Sequence, residues 1–252
     1  FLEMEFPERV EFVAQRLEIS PEEVRRALEN APEDPTFPQD KERIPAYIDF
    51  TVLNAFATSQ DIVDLCNKAK ANRTIGVCVN PNRVALCKRE LEGSGIRLAS
   101  VVGFPLGATT AAAKAFESKC AVDAGADEID MVIDVGALLE GDYKKVLEDI
   151  KEIRKAVPQA YIKCIIEICY LDENRIIDAS ILTVLGGANN AKTSTGFGKG
   201  GATPEAVSLM RKTVGPKFGV KAAGGIRTKE AARGVIEAGA TRIGASSASL
   251  FE

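Results

Sequence analysis

The feature that most constrains the fold of this chain is a repeated alternation of short β-branched runs with helical segments. Eight runs follow Ala46, namely Tyr47–Thr51, Ile75–Asn80, Leu98–Gly103, Glu128–Asp134, Tyr161–Ile168, Asn190–Thr195, Gly219–Ala223 and Arg242–Ala245. Strands that are each joined through a helix pair in parallel. Because eight parallel strands close into a (β/α)8 barrel, the pattern predicts an α/β fold of the TIM-barrel type. An open, doubly wound sheet is the alternative.

Helix-start signals lie between these runs. Most of the segments open on a capping side chain or on a proline in the first turn. The predicted starts lie near Ser59, Pro81, Thr110, Asp142, Asp172, Thr203 and Thr228.

Residues 1–45 precede the alternation and are predicted to form an N-terminal helical extension and linker, which leaves residues 46–252 as the catalytic barrel domain. Pro7–Leu17 has the helical spacing of apolar residues, and Ser20 with Glu23 forms a capping box at a second helix start. We expect this extension to cap one end of the barrel. A separate binding module is the alternative.

Composition excludes several mechanisms and partners. The 252 residues include no histidine, so a Ser-His pair, a histidine base and a His-ligated metal are excluded. With 32 basic and 36 acidic residues, the net charge of −4 gives no basic field for nucleic acid or anionic lipid. No run of about 18 apolar residues predicts a membrane span, and the N-terminus does not have the pattern of a signal peptide.

Cysteine usage favours a reducing compartment. Six cysteines lie among apolar runs without any CxxC pair: Cys66, Cys78, Cys87, Cys120, Cys164 and Cys169. Buried reduced thiols are typical of a cytoplasmic protein, so a cytoplasmic location is expected.

Charged residues inside the predicted strands indicate where the chemistry lies. Because alternate residues of a barrel strand face inward, Asp130 is expected to point into the barrel, opposite Ile129 and Met131. The same alternation places Lys163 and Glu167 on one face. The set expected inside is Asp49, Asp130, Lys163, Glu167, Lys192 and Lys221.

These inward charges must pair or act in catalysis, because a buried unpaired charge costs several kcal/mol. A structural cluster of ion pairs is one interpretation. The other is catalytic, because a lysine close to other cations has a lowered pKa and becomes a nucleophile toward carbonyl groups.

Glycine-rich segments follow the last three predicted strands. They are Gly196–Gly201, the pair Gly224 and Gly225, and Gly244–Ser247. In barrels, the loops after strands seven and eight often bind phosphate through backbone N–H groups, and Ser246 and Ser247 add hydroxyl donors. Tight turns are the alternative explanation. No P-loop is present.

Two of these segments belong to longer motifs that resemble the deoxyribose-phosphate aldolase family of class I Schiff-base aldolases. They are Ala191–Gly198, which reads AKTSTGFG, and Val220–Thr228, which reads VKAAGGIRT. The resemblance extends over Tyr47–Leu250. Weaker matches are Ile48–Thr51, Val77–Pro81, Gly103–Pro105, Glu128–Asp130 and Ile165–Glu167.

The resemblance implies roles for individual residues. Lys192 corresponds to the Schiff-base lysine, Lys221 to the second lysine that keeps it deprotonated, and Asp130 to the proton-relay acid. Gly196, Gly224, Gly225, Ser246 and Ser247 correspond to phosphate-binding positions, and Asp49, Thr51, Cys78 and Lys163 to other substrate-pocket positions.

The implied reaction is reversible cleavage of 2-deoxy-D-ribose 5-phosphate to D-glyceraldehyde 3-phosphate and acetaldehyde, in deoxyribonucleotide catabolism. It requires no metal and no cofactor. The expected partners are this phosphorylated deoxysugar and, in a possible homodimer, a second copy of the chain. A non-catalytic scaffold barrel and a different phosphosugar lyase or isomerase are the alternatives.

Overall fold

A closed barrel of eight parallel strands forms the centre of the computed structural model, which describes residues 6–38, 40 and 42–251. Each strand pairs with the next along the chain, and β8 pairs with β1 to close the ring. The strands are β1 Ile48–Val52, β2 Gly76–Val79, β3 Arg97–Val102, β4 Glu128–Val132, β5 Tyr161–Ile165, β6 Asn190–Lys192, β7 Gly219–Ala223 and β8 Arg242–Ala245. The predicted TIM barrel is therefore confirmed, and the open sheet is excluded.

The helices of the described residues are α1 Pro7–Leu17, α2 Pro21–Glu29, α3 Ser59–Asn72, α4 Val84–Glu90, α5 Ala111–Asp123, α6 Val135–Glu140, α7 Tyr143–Ala156, α8 Glu173–Leu185, α9 Pro204–Val214 and α10 Lys229–Glu237. Most of these helices start at the positions that the capping residues in the sequence predict. Thr110, Asp142, Asp172, Thr203 and Thr228 are N-caps, each accepting a backbone N–H with its side chain. None of these helices is long and apolar enough to cross a membrane.

Three strands end two or three residues earlier than predicted. Asp134 is not in β4, because its side chain accepts the backbone N–H of Ala137 and caps α6, a helix that the sequence analysis did not predict. The chain turns into a short 3-10 helix at Ile168 after β5, and β6 ends at Lys192. The residues after these strands therefore do not continue the alternation of inward and outward side chains.

The apolar core lies between the strands and the helices. Outward-facing side chains such as Ile129, Met131 and Ile162 are fully buried, in one cluster with helix residues such as Val146 and Leu182. The opposite faces of these strands point into the barrel, where charged side chains predominate. This division places the polar residues in one interior layer.

The N-terminal extension contacts the barrel at two places. Helix α1 packs on α7 and α8, where Arg9 pairs with Asp178 and Phe12 packs on the Tyr143 ring. The segment after α2 lies at the amino ends of the strands, where Asp34 accepts a hydrogen bond from Thr241 at 2.9 Å. Thr36 accepts another at 3.2 Å, from Arg242 Nη1 in the interior.

Candidate active site

Seven charged side chains fill the middle of the barrel. Each residue is at most 3 % exposed: Asp49, Glu128, Asp130, Lys163, Lys192, Lys221 and Arg242. Strand register brings them together, because Asp130 is paired with Lys163, Lys192 with Lys221, and Lys221 with Arg242. Residues paired across parallel strands face the same way, and direct ion pairs join the seven side chains into one connected group, called the interior layer below.

Asp130 lies at the centre of this layer. Its Oδ1 accepts a hydrogen bond from Lys163 Nζ at 2.7 Å, and its Oδ2 accepts from Lys192 Nζ at 2.8 Å and from Lys221 Nζ at 2.9 Å. Burial disfavours the charged carboxylate, yet the three ammonium groups hold the pKa of Asp130 well below its usual range. The thiol of Cys78 lies 3.9 Å from the same Oδ2, and burial raises its pKa to about 11. Cys78 therefore remains a neutral thiol beside the lysines.

Asp49 forms a second junction. Its Oδ2 is 2.6 Å from Lys221 Nζ and 3.5 Å from Lys163 Nζ, and its Oδ1 is 3.3 Å from Arg242 Nη2. The neighbouring Gly76 makes room for this carboxylate, because a Cβ at position 76 would lie 2.5 Å from Oδ1. The glycine thus allows the approach of Asp49 to the cations.

Glu128 lies at the end of the layer nearest the amino ends of the strands, because it is the first residue of β4. Its carboxylate is 2.5 Å from Lys163 Nζ and also contacts Arg242 and Arg97. Sequence reasoning did not include Glu128 or Arg242 in the inward set. For Glu128 the signal was present, because it is two residues from Asp130 on the same strand.

Charge balance distinguishes Lys192 from the other lysines. Four potential cations face three carboxylates in the fully enclosed layer, so the layer is neutral when one lysine has lost its proton. Lys163 contacts three carboxylates and Lys221 contacts two, but Lys192 contacts only Asp130. Lys192 is also the only one of these lysines with any exposure, at 3 %.

The pKa directions agree with this difference. Burial, together with Lys221, lowers the pKa of Lys192 against the opposing effect of Asp130. Burial also opposes the charge of Lys221 and Lys163, but their carboxylate neighbours raise the pKa of both. Of the two effects that lower the pKa of Lys192, burial is larger than the charge of Lys221.

Glu167 does not join the lysines, so its predicted place in the interior set is wrong. The chain leaves the strand at Ile165, and Glu167 has a left-handed backbone with φ of 54°. Its carboxylate accepts the backbone N–H of Thr195 at 3.1 Å and also the Thr195 hydroxyl. Thr195 Oγ1 in turn accepts the N–H of Phe197 at 3.0 Å. Glu167 therefore anchors the loop that follows β6.

Predicted phosphate-binding positions meet at the carboxyl ends of β6, β7 and β8. Gly196, Gly224 and Gly225 have φ of 83°, 88° and 80°, a conformation that favours glycine. In tight turns, successive backbone N–H groups can form a concave site that binds an anion. Ser247 Oγ lies 2.5 Å from Ser249 Oγ, which links this turn to the loop after β7.

The remaining predicted residues lie at the same end of the barrel. Ser246 is exposed after β8, and Thr51, near the end of β1, donates its hydroxyl to the Asp49 carbonyl at 2.8 Å. Two aromatic side chains not singled out from the sequence, Phe104 and Phe197, pack edge to face with ring centres 5.3 Å apart. Within the described residues, no group of three or more Cys, Asp and Glu side chains is placed to hold a metal ion.

The parallel barrel has a buried lysine amine at its carboxyl end, where glycine turns also follow the strands. This arrangement is typical of the lysine-dependent class of barrel enzymes. A family model described as "DeoC/LacD family aldolase" matches residues 44–250. The chain belongs to the DeoC/LacD aldolase family.

Known relatives support this assignment. A deoxyribose-phosphate aldolase of Thermococcus gammatolerans is 54% identical over 208 residues, which cover 81% of this chain and 92% of that protein. One from Streptococcus uberis is 50% identical over 204 residues, covering 81% of this chain and 93% of the relative. The solved deoxyribose phosphate aldolase of Aeropyrum pernix, described as tetrameric, superposes with a TM-score of 0.75 at 29% identity, covering 89% of this chain and 92% of that one.

Proposed function

We propose that the chain catalyses the reversible cleavage of 2-deoxy-D-ribose 5-phosphate to D-glyceraldehyde 3-phosphate and acetaldehyde, with Lys192 as the Schiff-base lysine. The observation that carries this role is the contact pattern of the interior lysines. Among the described residues Lys192 has one carboxylate partner, and it is the one lysine of the three with any solvent exposure, at 3 %. A free amine that a substrate can reach is what attack on an aldehyde requires.

The covalent steps follow from an amine at this position. The Lys192 amine adds to C1 of the sugar, and the resulting carbinolamine takes up one proton and loses water to leave a protonated imine. Removal of the C3 hydroxyl proton breaks the C2–C3 bond, and the bonding electrons pass into the imine to give an enamine. Glyceraldehyde 3-phosphate leaves. Protonation of the enamine at C2 and hydrolysis then release acetaldehyde and the free amine.

Asp130 is proposed to carry the protons of these steps. Its Oδ2 contacts both Lys192 and Lys221, so one carboxylate oxygen links the nucleophile to a second proton donor. Lys221 is charged at rest, because its carboxylate neighbours raise its pKa, and it can lend a proton to Asp130 during turnover. Because the protonated imine accepts the electrons of the broken bond, the proposed reaction uses neither a metal nor a cofactor.

The phosphate group is proposed to bind at Gly196, Gly224, Gly225, Ser246 and Ser247. This proposal is supported by their place in the chain, because they follow β6, β7 and β8 and so share the carboxyl end of the barrel with Lys192, the last residue of β6. Asp49, Thr51, Cys78 and Lys163 are proposed to line the pocket around the rest of the sugar. The substrate would then extend from the amine to the glycine turns.

We also propose that two copies of the chain form a homodimer in the cytoplasm. Leu106 and Phe116 line one surface depression and are 77% and 71% exposed. Association of two copies through this surface would remove apolar area from water. The cysteines of the chain are free thiols, as a reducing compartment would maintain them. Light scattering of Leu106→Ser/Phe116→Ser against the parent would test the dimer.

Residues 1–45 are proposed to serve as a packing arm of the 46–252 domain.

Reductive trapping tests the catalytic proposal. Borohydride with acetaldehyde should leave one stable ethyl group on the peptide that contains Lys192. Lys192→Met should lose both the adduct and turnover while it keeps its circular dichroism spectrum. Lys114→Met is a matched control, because Lys114 is equally buried but pairs with Asp149 outside the barrel interior. An adduct on Lys163 or Lys221, or none, would overturn the assignment.

A further inference from the structure

Glu128 and Arg242 belong to the interior layer but have no part in the proposed reaction, and Arg242 is the cation of the two. Arg242 begins β8, has no solvent exposure and lies beside Lys221 in the strand register. A buried arginine is costly, and removing a partner from a buried ion pair is more costly still. Three lysines and three carboxylates would already balance each other without it. The fourth cation therefore requires an explanation.

Arg242 reaches the nucleophile only through shared carboxylates. Its Nη2 lies 3.3 Å from Asp49 and also contacts Glu128, and both carboxylates contact Lys163, at 3.5 and 2.5 Å. Lys163 then shares Asp130 with Lys192. A continuous series of ion pairs thus joins the guanidinium to the amine.

The charge on Arg242 is permanent, whereas a lysine can lose its proton. A guanidinium is not deprotonated in proteins. Because Arg242 pairs with Asp49 and Glu128, these two carboxylates are less available to Lys163 and Lys221. The two lysines then depend more on Asp130 to stabilise their charge. Lys192, with Asp130 as its one carboxylate, competes with two other cations for that partner.

We propose that Arg242 is a positioning residue for the reaction of Lys192: as a permanent fourth cation among three carboxylates, it makes the layer neutral only when one lysine is a free amine. The contact pattern selects Lys192 as that lysine. This inference rests on the proposed function, since it takes Lys192 as the nucleophile.

Charged and titratable groups from every packed element face this layer. They are Asp34 of the extension, Asp49 of β1, Cys78 of β2, Arg97 of β3, Glu128 and Asp130 of β4, Tyr161 and Lys163 of β5, Lys192 of β6, and Lys221 of β7. Arg97 also pairs with Glu128, but its side chain is 35% exposed, so water screens its charge. Arg242 is therefore the unscreened cation that decides the balance.

The test measures how fast acetaldehyde and cyanoborohydride trap Lys192 as a function of pH. Arg242→Gln leaves three lysines with three carboxylates, so the trapping profile should move by at least about one unit to higher pH. A shift of one unit is about tenfold slower trapping near pH 7. Glu128→Gln removes a carboxylate and should move the profile the opposite way.

The double variant Arg242→Gln/Glu128→Gln removes one charge of each sign and should return the profile toward that of the parent. A role in packing alone does not predict this rescue. Arg211→Gln is the matched control, because Arg211 donates to the carbonyls of Gly215, Phe218 and Gly239 outside the layer. It should not move the profile.

An unchanged profile in Arg242→Gln, or no return in the double variant, would overturn the inference. If Arg242→Gln does not fold, the direction of the Glu128→Gln shift decides, and an alkaline shift or none would be contrary evidence. Failure of the proposed function looks different, because the parent itself would then show no adduct on the Lys192 peptide.

Discussion

Replacing Lys221 with leucine removes the cation that shares a carboxylate oxygen with Lys192. The two amines lie 2.8 and 2.9 Å from Asp130 Oδ2, so they cannot be more than about 6 Å apart, and at about 5–6 Å a second positive charge costs about 3 kcal/mol at an effective dielectric of about 20. That energy corresponds to a pKa change of about two units. Without Lys221, Asp130 is also freer to stabilise the charged form of Lys192.

Lys221→Leu should therefore raise the pKa of Lys192 and reduce the free amine at pH 7.5 by up to about 100-fold. A group whose charged form gains stability keeps its proton to higher pH, so the remaining activity should continue to rise further into the alkaline range than in the parent. The assay is kcat/KM for 2-deoxy-D-ribose 5-phosphate against pH, which reports the ionisation of the free enzyme.

Lys114→Leu is the control for the loss of a buried lysine. Lys114 pairs with Asp149 at 2.5 Å between α5 and α7, outside the interior layer. Breaking that pair should destabilise the fold by about 3–5 kcal/mol without moving the pH profile. If Lys221→Leu retains the profile of the parent, Lys221 does not tune Lys192, and the electrostatic reasoning is refuted.

Two further predictions concern the phosphate end of the site. Ser247→Asp places a negative charge beside the substrate phosphate, so KM for the phosphorylated sugar should rise steeply while activity on unphosphorylated 2-deoxyribose changes little; equal loss on both substrates would contradict the site. Glu167→Gln weakens the hold on Thr195, so KM for the phosphorylated sugar should rise several-fold with unchanged trapping of Lys192; a loss of trapping would place Glu167 in the amine chemistry instead.

The barrel was predictable from the sequence because its signals are local. Capping residues such as Thr110 and Thr203 mark helix starts independently of tertiary contacts. The period of two placed Asp130 and Lys163 inside correctly, because both lie within regular strands. Short α6 was missed, since its apolar residues directly follow β4 and continue the appearance of a strand.

The errors in the candidate site arise where strands begin or end. Glu167 lies two residues beyond the last residue of β5, so the alternation no longer determines its direction. Arg242 is the first residue of β8, where one residue of uncertainty in the boundary reverses the face. The network of carboxylates shared among four cations depends on which strands are neighbours, and neighbours are fixed only when the ring closes.

The pairing of β1 with β8 also has a consequence for folding. Asp49 and Gly244 are partners in this last seam, which joins distant parts of the chain and is therefore slow to form. Arg242 enters the interior with β8, so an intermediate in which β8 has not yet joined the sheet lacks the permanent cation. In such an intermediate three lysines match three carboxylates, and Lys192 would keep its proton. An unfinished barrel would then be protected from reaction with cellular aldehydes, and reactivity of the amine during refolding would report closure of the ring.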